Sequence, residues 1–140
     1  MASVHRFEDL RVWREARALS ALVDEACTTH PLRRNYGLAD QMRRAAVSVV
    51  SNIAEGFDRR SAPSFRHFLL IAKGSVAERS AQLYLCHDRN YLEPMTVASL
   101  QERVTNVSRM LWGLIRYLEG FGARSPRRQR GTRNAERGTN

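Results

Sequence analysis

Gln41 to Phe57 reads QMRRAAVSVVSNIAEGF, and the run AKGSVAE at Ala72–Glu78 answers it. With Leu38 ahead of it, the first stretch repeats apolar or small residues at Met42, Ala45, Val49, Ile53 and Gly56. Steps of three and four put these on one face of a helix, predicted over about 38–59. Ser61-Ala62-Pro63 follows. Ser61 is a suitable N-cap and proline suits a first helical turn, so the next helix is predicted over about 62–87.

Working outward, Val12, Ala16, Leu19, Val23 and Cys27 mark a helix over about 7–29, which His30-Pro31 ends. Asn35 and Gly37 serve as turn residues in the loop Pro31–Gly37. After the turn Arg89-Asn90-Tyr91, Pro94 opens a fourth helix, over about 94–119. Its stripe is Val97, Leu100, Val104, Val107, Leu111, Leu114 and Leu118, and Gly120 and Gly122 are expected to stop it. Four helices with short connections predict an all-α, up-down-up-down antiparallel four-helix bundle over residues 1–121. Residues 122–140 form a basic tail, rich in Arg, Gly, Ser and Thr and without large apolar residues, expected to be disordered.

Composition narrows the function classes. A chain of 140 residues suits one domain, and 43% hydrophobic residues suffice for a core. No apolar run is long enough to span a membrane, and no secretory signal pattern opens the chain, so a cytoplasmic location is expected. Cys27 and Cys86 read as buried thiols rather than a disulfide framework. The net charge is +9, carried by arginine with Lys73 as the single lysine. The charge concentrates at the C-terminus: Arg124, Arg127, Arg128, Arg130, Arg133 and Arg137 stand against Glu136 alone. Guanidinium forks match phosphate oxygens, so these six arginines are candidate nucleic-acid contacts; a merely solubilising tail is the alternative.

Helix three has two apolar faces. Phe65, Leu69, Ala72, Val76 and Leu83 form one; Leu70, Gly74, Ala77, Ala81 and Leu85 form the other. Helix two similarly carries Val47, Val50 and Ala54 outside its main stripe. A second apolar face calls for a second partner, which predicts a homo-oligomer interface at Leu70, Gly74, Ala77, Ala81 and Leu85. A flank wedged within the same bundle is the alternative.

An antiparallel hairpin centred on Ser61 pairs residues whose numbers sum to about 122. Ser48 then meets Gly74 and Ser75, and Arg44 meets Glu78. Glu55 precedes Arg59 by four, the favourable order for a helical ion pair. Arg44, Ser48, Asn52, Glu55, Ser75 and Glu78 thus make a polar seam. It reads either as a functional groove or as a structural network whose members satisfy one another.

QMRRAAVSVVSNIAEGF, the following Arg59-Arg60-Ser61, FLLIAKGSVAE and the later NYL at Asn90–Leu92 resemble the family named for open reading frames within intervening sequences of bacterial 23S rRNA genes. FEDLRVWREA at Phe7–Ala16 and NYGL at Asn35–Leu38 fit the same family, over about residues 7–119. The resemblance implies four-helix subunits assembled as homopentamers. It also implies kinship with the accessory variability determinants of diversity-generating retroelements, basic pentamers that partner a reverse transcriptase and nucleic acid. It implies no enzymatic activity. The chain departs from the family pattern at Val49-Val50, where many members have Ile-Pro, and at Arg79-Ser80 in place of Leu-Glu. Arg79 then falls at the edge of an apolar face and is expected to snorkel or to find an acidic partner.

Other chemistry is weaker. Cys27, His30, Cys86 and His87 imitate a zinc set, but neighbours on a helix diverge by about 100°, so no metal and no cofactor are expected. Arg60 and His67 loosely match the Arg/His spacing of HEPN-type ribonucleases, which are also helical bundles. The leading expectation is a non-enzymatic oligomeric scaffold that binds RNA, DNA or a nucleic-acid-processing protein. A purely protein-binding oligomer is the first alternative and a ribonuclease the second.

Overall fold

The structure is a computed structural model that describes residues 4–124. Its four long helices are α1 (Arg11–Cys27), α2 (Tyr36–Asp58), α3 (Ala62–Asp88) and α4 (Pro94–Arg124), with short 3-10 turns at Phe7–Asp9 and Leu32–Arg34. There is no strand among the described residues. The expected stripes meet in one core. Val23, Leu32, Met42, Ile53, Leu69, Leu83, Leu111 and Ile115 are fully buried within it. Each such side chain contributes about 2 kcal/mol relative to exposure, so these stripes hold the helices together.

Contacts between helices run in a regular order. Ser48 meets Ser75, and Met42 meets Arg79, across α2 and α3. Arg66 meets Glu119, Lys73 meets Trp112 and Ser80 meets Gln101 across α3 and α4. Arg43 meets Asp24 across α1 and α2. The α2 backbone lies close against α3 at Gly56, where an added Cβ would lie 2.7 Å from the Phe68 Cβ.

The helix ends differ from the periodicity in instructive ways. The first helix begins at Arg11 rather than near Phe7, because Leu10 is extended (φ −71°, ψ 124°) and separates it from the 3-10 turn. It ends at Cys27, where the Thr28 and Thr29 hydroxyls donate to the Glu25 and Ala26 carbonyls. Gly37, expected in the loop, lies in the first turn of α2. Ser61 caps α3 as expected, its Oγ accepting from the Ser64 N–H at 3.3 Å. Glycine does not stop the fourth helix, which continues through Gly120 and Gly122 to Arg124. Phe121 packs edge-on against Tyr117 one turn earlier, and a helical glycine costs only about 1 kcal/mol. Ile115, not Leu114, is the fully buried member of its turn.

Candidate functional site

The polar seam forms, with different partners. Ser48 Oγ and Ser75 Oγ lie 2.9 Å apart. Asn52 Nδ2 donates to the Ser48 carbonyl at 2.8 Å and to Ser48 Oγ at 3.1 Å. Ser75 Oγ donates to the Ile71 carbonyl at 3.4 Å. Each hydroxyl has one proton, so the consistent chain runs from Asn52 through Ser48 to Ser75 and Ile71. The half-buried hydroxyls are spent on one another, which fits a register lock between α2 and α3 rather than an open groove.

The charged members of the seam point elsewhere. Arg44 does not meet Glu78: its Nε lies 3.0 Å from Asp40 on its own helix, and Glu78 is exposed. Glu55 pairs with Arg59 at 3.0 Å, as the four-residue spacing predicts. The residue that crosses to α2 from beside Glu78 is Arg79. It is 1% exposed, and its Nη2 donates to the Met42 carbonyl at 2.7 Å. It neither snorkels nor meets a carboxylate. Its Nε has no hydrogen-bond partner, and burial pushes its pKa well below the usual arginine range, to about 10. Both amide atoms of buried Gln82, three residues on, also lack partners. Periodicity places Arg79 only at an edge and does not distinguish Gln82, whose face is settled by the packing of α3 against its neighbours.

The cysteines and histidines do not converge. Cys27 and Cys86 are buried, whereas His30 and His87 are exposed. Burial raises both thiol pKa values, that of Cys86 to about 11. Among the described residues, no group of three or more His, Cys, Asp or Glu side chains has metal-binding geometry. Arg60 and His67 are engaged separately. Arg60 Nη2 donates to the His5 carbonyl at 3.3 Å and its guanidinium lies 4.9 Å from the Phe57 ring centre. His67 packs edge-on against Phe68.

Two open surfaces bear on the contacts expected from the sequence. On α3, Leu70, Gly74, Ala77, Ala81 and Leu85 are all exposed, and exposed Val47 lies on α2. The expected second apolar face is therefore uncovered in the single chain. The other surface is basic. Arg60 joins the α2–α3 turn to His5 near the start of the chain, and Arg66 joins α3 to Glu119 near the end of α4. Arg59 stacks over Phe68 in the same turn. These contacts gather three separate stretches of chain at one end of the molecule. Arg124 is the last residue of α4, while Arg127, Arg128, Arg130, Arg133 and Arg137 lie outside the described residues.

Four long helices around one apolar core, locked at α2–α3 by small and hydroxyl residues, define an all-α four-helix protein. The chain belongs to the 23S rRNA-intervening sequence protein family, whose model matches residues 8–113. The match includes the whole seam and ends within α4, short of the arginine-rich C-terminus. No curated protein shows significant sequence similarity to the chain.

Proposed function

We propose that this chain is a non-enzymatic, self-associating subunit that holds nucleic acid, or a protein that processes it, against arginine-rich surfaces. The carrying observation is the separation of charge. Residues 4–14, 55–67 and 115–124, gathered by the Arg60 and Arg66 contacts, hold eight arginines against five carboxylates. Residues 24–44 and 78–103 hold seven of each sign. The sequence beyond Arg124 adds five arginines and one glutamate. Such clustering suits a polyanion, whose bound counterions are released on contact.

Self-association is supported by the uncovered Leu70–Leu85 stripe, since a soluble subunit gains by burying a continuous apolar face. The order of the side-chain contacts supports helices that alternate in direction, and the uncovered face spans residues 70–85 of α3. A homopentamer is the assembly the family resemblance implies, and repeated weak contacts in it would add by avidity. The same stripe favours the second reading, a protein-binding oligomer without a nucleic-acid role.

The test is binding of fluorescent RNA and DNA across a salt series, for the full chain and for a truncation after Arg124, which keeps α4 whole. Oligomer mass is measured on both. Binding that weakens at least tenfold from about 50 to about 200 mM salt, and drops on truncation, is expected. An intact oligomer that binds neither probe at low salt would refute the nucleic-acid role and leave protein binding.

A further inference from the structure

The basic surface of α4 carries a feature that charge alone does not require. Tyr117 and Phe121 are 59% and 48% exposed, although each could have been polar at no cost to the core. Their rings meet edge to face, 4.9 Å between centres. Beside them is an open groove of about 280 Å³ lined, among the described residues, by Arg116, Tyr117, Gly120 and Phe121. A side chain at Gly120 would meet nothing within 4 Å, so packing does not demand glycine there. Glycine is a poor helix former, and its use at an open position suits close approach of a flat group to the backbone.

We propose that this end of α4 is a stacking site for single-stranded nucleic acid. Tyr117 and Phe121 hold unpaired bases beside Gly120, and Arg116 takes the adjoining phosphate. The proposal rests on the nucleic-acid reading above and specifies its substrate. Aromatic faces bind unpaired bases of any sequence, whereas in a duplex those faces are already stacked. Arg116 is exposed and makes no ion pair among the described residues, unlike Arg66, which Glu119 neutralises. Trp112 is excluded from the platform because the Lys73 ammonium lies 5.4 Å from its ring centre. A second copy of this basic face would meet like charge, so an anionic occupant fits better. The site lies beyond residue 113, outside the family match.

The experiment uses the full chain and three labelled probes: oligouridylate and oligothymidylate of about 20 nucleotides, and a DNA duplex of about 20 base pairs. Two variants are compared, Tyr117→Ser/Phe121→Ser and Arg116→Gln, with helicity and oligomer mass checked. Both single strands are expected to bind more tightly than the duplex. If only one single strand does so, the sugar identifies RNA or DNA as the source. The double variant is expected to lose about tenfold or more on single strands, with little change on duplex or in salt dependence. Arg116→Gln is expected to lower the salt slope by about one contact. Equal binding of all probes, or an unchanged double variant, overturns the stacking site while leaving the nucleic-acid reading intact. A changed oligomer mass in the double variant also overturns it, because a second copy would then cover the face. Failure of every probe at low salt removes both.

Discussion

Replacing Arg79 with methionine should stabilise this protein. The guanidinium is 1% exposed, donates to the Met42 carbonyl and has no carboxylate partner. Burial lowers its pKa from the usual arginine range to about 10, with Cys27 and Glu78 opposing the shift. At about 1.36 kcal/mol per unit, keeping the charge inside costs on the order of 3 kcal/mol. Losing its hydrogen bond returns about 1–2 kcal/mol, and methionine keeps much of the unbranched stem's packing. The net expectation is a gain of about 1–2 kcal/mol, read as a higher urea midpoint at fixed protein concentration and unchanged oligomer mass. The pH dependence adds a second check. Above about pH 10 the unfolded arginine binds more protons than the folded one, so this contribution to stability rises with pH. The advantage of Arg79→Met should therefore shrink above about pH 10. A variant that is destabilised by more than about 1 kcal/mol with its assembly intact would refute the reasoning, showing that the buried guanidinium is net favourable.

Other perturbations follow from the same contacts. Gly56→Ala places a methyl 2.7 Å from the Phe68 Cβ, an atom fixed to the backbone; overpacking should outweigh the helix-propensity gain and destabilise by about 1–2 kcal/mol in urea unfolding. Ser48→Ala breaks the Asn52–Ser48–Ser75 chain and should cost about 0.5–1.5 kcal/mol by the same assay, since water reaches the half-buried partners. Cys86 keeps its proton to about pH 11 when folded but ionises near 9 when unfolded, so its contribution is intact below about 9 and lost as pH rises to about 11. Cys86→Ala should flatten the alkaline fall in stability over that window, measured as melting temperature against pH.

The site was legible in the sequence to the extent that neighbours along a helix decided it. Glu55 and Arg59 are four apart and pair; Ser48 and Ser75 meet because a hairpin about Ser61 brings their numbers together. Arg44 illustrates the limit. Asp40, one turn away, competes with Glu78 across the seam, and the local partner wins because it requires no fixed distance between helices. Arg79 shows the converse: its periodic position is marginal, and the rotation of α3 turns it inward.

By itself, the sequence determined the number of helices, their apolar stripes, the Ser61 cap and the concentration of arginine at the C-terminus, because these depend on spacing along one chain. Tertiary structure decided what lies between elements. The burial of Arg79 and Gln82, the close approach at Gly56 and the gathering of the basic stretches through Arg60 and Arg66 all depend on how one helix is rotated and seated against another.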